Sequence, residues 1–390
     1  MKKQYVMISL ASLLLASCSQ GPQIKPSLKD YQTDINIFKT NDTVRILQLT
    51  DIHWSFATDY RREQKYFESL AQKADPDIIM TTGDNVLSAT SDTIDHLFSM
   101  LNSLKNARGK RIYWGVTWGN HDRQGIYDPD YPDRIAKTYS MQKEYDHSLV
   151  YENYGLYKNP DDDIQGRSNY VVNLTDGSRT IWQLYAIDSN SDHFNGTNYT
   201  YDVIRKEQIE WFENQAKESQ REGNIPSLAF FHIPLFQLAY SYDNAKKGII
   251  KPGNFGGELR ERTEEKAPFF DQIENIDATR TFPGYEDTGF FHSAKQYNVK
   301  GMFFGHDHVN DFWALYDDKA TAENNPNGTA DDILLAYGVK TGDGLYFSKD
   351  LIGGNLITIH KDGSFDGRRS DDFTTDFSPV FLKYEEVDHE

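Results

Sequence analysis

Five times between residues 44 and 308, an apolar run of β-favouring residues stops at a short cluster of Asp, Asn or His. "VRILQLT" (44–50) runs into Asp51 and His53, and "DIIMTT" (77–82) into Gly83-Asp84-Asn85. "RIYWGVTW" (111–118) runs into Gly119-Asn120-His121-Asp122. "SLAFFHI" (227–233) carries His232 near its end, and "VKGMFF" (299–304) is followed by Gly305-His306-Asp307-His308. In layered α/β folds the carboxyl ends of the strands converge on one sheet edge, and sites sit there. Between these runs, residues 61–74 have helical spacing, with Tyr66, Phe67, Leu70 and Ala71 on one face. Residues 91–107 read as an amphipathic helix opening on Ser91, and 201–219 as the clearest helix. Strand and helix alternate, which predicts α/β layers. Strand candidates 170–174 and 180–188 flank Asp176-Gly177, a hairpin turn signal, so the sheet is expected to be mixed. Further strands are expected over 332–339 and 355–365, within one catalytic domain spanning 42–385.

The polar clusters suit metal chemistry. Side chains two apart on an extended chain point the same way, so Asp51/His53 and His306/His308 can each present two donors to one centre. The donor set is Asp51, His53, Asp84, Asn120, His232, His306 and His308. Mixed Asp, Asn and His donors suit Zn, Mn or Fe rather than a hard all-oxygen calcium site. Gly83, Gly119 and Gly305 let the backbone turn sharply beside a crowded cluster. Charge points the same way. Lys plus Arg is 41 against 59 Asp plus Glu, a net charge of −18. Such a surface argues against nucleic acid as a general partner, since phosphate backbones seek Lys and Arg. Any anionic substrate needs a local positive charge, which a metal cluster supplies.

The chain opens "MKKQYVMISLASLLLASCSQ". Lys2 and Lys3 precede a mostly apolar run from Tyr5 to Ala16, too short to span a bilayer but fitting a signal peptide over 1–17. Leu15-Ala16-Ser17-Cys18 resembles a bacterial lipobox. That resemblance implies cleavage before Cys18, lipid attachment to it, and a cell-envelope location on the periplasmic face or cell surface. Cys18 is the only cysteine, so no intrachain disulfide can form. Residues 18–41 are polar and read as a tether to the membrane.

Taken together, the clusters at Asp51/His53, Gly83-Asp84, Gly119-Asn120-His121-Asp122, His232 and Gly305-His306-Asp307-His308 resemble the calcineurin-like metallophosphoesterases, and "QLTDIHW", "FFHIPL", "TGFF" and "GHDHVNDF" resemble their purple acid phosphatase-related branch. "YGVKTGDG" carries a weaker likeness. The resemblance implies a four-layer α-β-β-α sandwich with mixed sheets. It implies two divalent metal ions, one held by Asp51, His53, Asp84 and His308, the other by Asp84, Asn120, His232 and His306, with Asp84 shared. His306 and His308 would then serve neighbouring metals. The expected activity is a phosphohydrolase acting on a small phosphorylated substrate, more specifically a phosphomonoesterase. By the same resemblance a metal-bridging hydroxide would attack phosphorus, and His121 would protonate the leaving oxygen or hold a phosphate oxygen. Asp122 either fixes the His121 ring or caps its loop.

Rival readings are a phosphodiesterase acting on nucleotides or lipid headgroups, and a surface-anchored lipoprotein that binds metal or ligand without turnover. Trp54, Trp118, Tyr240 and Tyr242 lie near the motifs and are candidates for a pocket wall around an organic leaving group. One departure from the purple enzymes stands out. They carry a tyrosine three residues after the Gly-Asp aspartate; here that position is Leu87, while His53 stands where they have no histidine.

Overall fold

The computed structural model describes residues 27–87, 90–123, 145–149, 166, 168–194, 199–260, 289–317 and 332–383. Cys18 and the expected signal peptide lie outside them. A five-stranded sheet carries the first three motif strands: β2 (Thr43–Leu49), β3 (Ile78–Thr82) and β4 (Tyr113–Thr117) run parallel. β14 (Gly353–His360) lies antiparallel to β2, and β15 (Phe377–Phe381) antiparallel to β14. The other two motif strands, β9 (Ser227–Phe230) and β11 (Val299–Phe304), are parallel neighbours in an eight-stranded sheet. Its order is β1 (Gln32–Ile35), β5 (Tyr170–Thr175), β6 (Thr180–Ala186), β9, β11, β13 (Ile333–Tyr337), β12 (Trp313–Tyr316) and β10 (Phe255–Gly256). β5 and β6 form the expected hairpin. β7 (Asp192–Phe194) and β8 (Tyr199–Tyr201) pair separately.

Helices cover the outer faces. α1 (Tyr60–Ala74) packs on β14 and β15, and α2 (Ser91–Ser103) on β4. α1 starts where the Asp59 carboxylate accepts from the backbone N–H groups of Arg61 and Arg62, and it buries Tyr66, Phe67, Leu70 and Ala71 as its periodicity predicts. α3 (Lys206–Arg221), α4 (Phe236–Lys246) and α5 (Phe290–Gln296) lie on the eight-stranded side, with Phe212 of α3 edge-on to Tyr185 of β6 at 4.9 Å. β3 and β9 meet between the sheets. The result is a mixed α/β sandwich, with both sets of motif strands delivering their carboxyl ends to one edge. Among the described residues no helix is long and apolar enough to cross a membrane.

Two expectations are corrected. The tether over 18–41 is not free of the body throughout. Leu28–Tyr31 forms a turn of 3-10 helix, and Gln32–Ile35 is β1, paired parallel to β5. Tyr31, Ile35 and Phe38 are buried, and those three apolar anchors draw a polar segment onto the sheet. The second correction concerns aromatics. Trp54 and Trp118 are core residues, 2% and 0% exposed, and Tyr240 and Tyr242 pack partly buried against the core.

Candidate metal centre

The motif residues converge through strained turns rather than through extended chain. Asp51, His53, Asp84 and His306 all adopt positive φ, at 54°, 54°, 50° and 84°. Non-glycine residues seldom do so, and a cluster of them marks a functional site. Past the end of the β2–β3 pair, Asp51 N–H donates to the Gly83 carbonyl and His53 N–H to the Asp84 carbonyl, so the two loops run on side by side. The buried Lys340 ammonium donates to the Asp51 carbonyl and closes the turn from behind. Strand alternation is therefore not what aligns Asp51 with His53. Nor do His306 and His308 face one centre.

Their donors fall into two sets. In the first, His308 Nε2 lies 2.9 Å from His53 Nε2 and 3.3 Å from Asp51 Oδ1. Asp84 Oδ2 lies 3.6 Å from His53 Nε2, and the ligand atoms of Asp51, His53, Asp84 and His308 all fall within 4.8 Å of one another. In the second, Asn120 Oδ1 lies 3.0 Å from His232 Nε2 and 3.1 Å from His306 Nδ1. His306 Nδ1 and His232 Nε2 are 3.3 Å apart. Asp84 Oδ2, 3.2 Å from His232 Nε2, joins the sets. All seven expected donors are thus brought together.

The chain from Val44 to Asn310 matches the family model described as Calcineurin-like phosphoesterase. It belongs to that family. Its members' shared chemistry makes it a metal-dependent hydrolase of phosphoric esters acting on phosphorylated substrates, with an Asp/His cluster fitting a dinuclear metal site. "Probable inactive purple acid phosphatase 29" of Arabidopsis thaliana is 26% identical over 70% of this chain and 69% of that one. "Probable inactive purple acid phosphatase 14" of the same plant is 25% identical over 79% and 74%. A solved dimetal phosphatase from Danio rerio aligns over 82% of this chain and 96% of its own at 10% identity, with a TM-score of 0.40.

The donor chemistry of this phosphoesterase fits metal ions. His232 Nδ1–H donates to the Thr82 carbonyl and His308 Nδ1–H to the Tyr346 carbonyl, each at 2.8 Å. A carbonyl only accepts, so each ring, when neutral, turns an Nε2 lone pair toward the cluster, the arrangement that second-sphere partners impose on metal-binding histidines. Acceptor atoms then crowd at hydrogen-bond distance, and a cation between them resolves the repulsion. Burial raises the Asp84 carboxyl, but His232 and then His121 outweigh it and hold it well below the usual range. Burial lowers the His232 imidazole, yet the Asp84 carboxylate pulls it up to about 9. Burial, with Lys340, holds His308 down to about 4. Two buried carboxylates thus draw positive charge into the site.

The glycines act by leaving room. A Cβ on Gly83, itself at φ +90°, would stand 2.6 Å from His232 Nδ1, and one on Gly305 would collide with Thr50 Oγ1. Gly305 needs close approach and not a special φ, which refines the expectation of a sharp turn.

His121 opens a 3-10 turn with Arg123 at its end. Its N–H donates to Asp84 Oδ1 at 2.8 Å, and its Nε2 stands 4.0 Å from Asp84 Oδ2. With its side chain 29% exposed, the ring faces the cluster from the solvent side. Asp122 does not orient it. The fully buried Asp122 carboxylate accepts from Gly119 N–H, Asn85 N–H, Asn85 Nδ2 and Val86 N–H, while His121 Nδ1 has no hydrogen-bond partner among the described residues. Asp122 is the cap of its loop, and its catalytic reading is withdrawn. Arg123 instead pairs with the buried Asp188 and stacks over Trp118, fixing the far side of the turn. Lys340 and Tyr346 act here without being legible as donors. Their only signal was the weak "YGVKTGDG" likeness and the residues just after it.

Proposed function

We propose that the chain is a phosphomonoesterase working with two divalent cations, Zn, Mn or ferrous iron. Asp51, His53, Asp84 and His308 would hold one, and Asp84, Asn120, His232 and His306 the other. The observation that carries this reading is the sharing of Asp84 between two complete donor sets, with the partly exposed His121 beside it. Bound there, the cations would lower the pKa of water and neutralise phosphoryl charge. The chain supplies the rest. His121 sits where a proton can pass from its Nε2 to the departing ester oxygen. The Asp122 cap and the Arg123–Asp188 pair keep that turn in register with Asp84. We further propose that a lipid on Cys18 holds the protein in a bacterial cell envelope, supported by the apolar leader and the lipobox-like "LASC".

The deciding experiment compares turnover of an aryl phosphate with that of its bis-aryl diester after metal reconstitution. A monoester preference supports the proposal. Faster diester cleavage would make the protein a phosphodiesterase, and hydrolysis of neither would make it a binding protein.

A further inference from the structure

Two exposed apolar side chains, Leu345 and Tyr346, lie beside this site. Four large ones are exposed among the described residues: Phe56, Leu345, Tyr346 and Phe373. Phe56 follows His53 by three residues, and Leu345 and Tyr346 belong to a loop pressed onto the first donor set. Gly344 approaches so closely that a Cβ on it would stand 2.9 Å from the His53 Cβ. Leu345 takes φ +60°, a conformation leucine rarely adopts, and is 47% exposed. Tyr346 gives its carbonyl to His308 Nδ1–H and lays its ring over the His308 ring, centroids 4.1 Å apart and planes 13° from parallel. That ring is 37% exposed. The fold thus holds a leucine in a strained turn beside the donors and leaves it and the neighbouring tyrosine partly exposed.

We propose that Leu345 and Tyr346 form a subsite for a flat aromatic group attached to the phosphoryl end of the substrate. The inference rests on the reading of the centre as a phosphomonoester site, which places the phosphoryl end beside His308. An aryl ring one bond from that end reaches Tyr346, where stacking on the outer part of the phenol is favourable. Leu345 supplies an apolar edge. A polyol ester would gain nothing from either side chain.

The test measures binding of three monoester analogues that cannot be hydrolysed to the metal-loaded protein by calorimetry: phenylphosphonate, n-hexylphosphonate and methylphosphonate. Phenylphosphonate is expected to bind about three- to ten-fold more tightly than methylphosphonate, the range that aromatic pairing supplies. Tyr346→Ala and Leu345→Asn should each shrink that ratio; asparagine tolerates the left-handed turn. The ratio cancels any loss shared at the phosphonate end. Absence of binding by all three, an unchanged ratio in both variants, or hexylphosphonate binding as tightly as phenylphosphonate would overturn the subsite. A phenyl advantage that both variants reduce, in a protein that hydrolyses no monoester, would uphold the subsite and reject the phosphatase reading.

Discussion

Asp84 Oδ2 lies 3.2 Å from His232 Nε2, and the same oxygen lies 3.6 Å from His53 Nε2. One carboxylate therefore belongs to both donor sets, and each set draws on both sheets: Asp51, His53, Asp84 and Asn120 follow strands of the five-stranded sheet, His232, His306 and His308 strands of the eight-stranded one. The centre is a clasp between the sheets. Metal held there would tie together two layers otherwise joined through their apolar faces.

From that geometry, Asp84→Asn and His306→Ala should lose bound metal along with activity, because each removes a donor atom. His121→Ala should keep its metal and lose turnover by about 10²–10⁴-fold, the usual contribution of a general acid or base. Elemental analysis and aryl phosphate turnover on the three variants check this. Metal missing from the His121 variant would sink the role assigned to that ring.

A pH prediction comes from behind the site. Burial raises the Glu63 carboxyl and the neighbouring Asp343 raises it further, from 4.5 to about 7. Trp54 Nε1 donates to it at 3.3 Å. The folded state thus holds this proton more tightly than the unfolded chain does. Its contribution to stability is full below about pH 4.5, falls as pH rises, and is gone above about 7, on the order of 3 kcal/mol in all. Glu63→Gln keeps an acceptor for Trp54 and cannot ionise. Its Tm advantage over the parent should therefore open between pH 4.5 and 7 and then stay level. An advantage that is constant from pH 4 to 8 would show that Glu63 does not titrate in this window.

The donor residues were legible because Asp, Asn and His are unexpected at the ends of buried apolar strands. No one of them carried the reading, and His232 by itself could have been a core histidine; five such clusters in order named the set. What brings Asp51 beside His53 was not legible, since a left-handed turn in a non-glycine residue is enforced by distant partners, here Lys340 and the Gly83 carbonyl. Tyr346 was missed because its hold on His308 runs through a backbone carbonyl that any residue could offer. The sequence reading missed β1, β7, β8, β10, β12, β15, α4 and α5, most of them short and owing their form to pairing or packing, as Gln32–Ile35 does through Tyr31 and Phe38. Asp122 was misread in one of its two alternatives because a carboxylate beside a histidine suggests an orienting pair, whereas four loop N–H donors claim it.

The proposed envelope location depends on Cys18. Mass spectrometry of the mature protein should find the chain starting at Cys18 and carrying acyl chains, with the protein in the membrane fraction. Cys18→Ser should abolish the lipidated form, leaving the chain unprocessed or released. A mature wild-type protein without acyl chains removes the lipoprotein reading and leaves the metal centre untouched.

The final expectation concerns the metals themselves. The colour of purple enzymes arises from a tyrosine phenolate on ferric iron. At the matching position Leu87 has no donor atom, and an imidazole, His53 Nε2, stands in the first donor set, 2.9 Å from His308 Nε2. Exchanging an anionic oxygen for a neutral nitrogen weakens the preference for a trivalent ion and favours two divalent ones. Tyr60 is the tyrosine nearest in sequence to His53, but its hydroxyl bonds the Ser55 carbonyl and Thr93 Oγ1 while its ring stacks on His96 at 4.6 Å. It is committed to the α1–α2 packing and supplies no ligand. Aerobic purification should therefore give a colourless protein, active when loaded with Zn, Mn or ferrous iron. An intense visible band in the iron-loaded protein, surviving Leu87→Ala and lost in Tyr60→Phe, would place a phenolate on the metal and overturn this assignment.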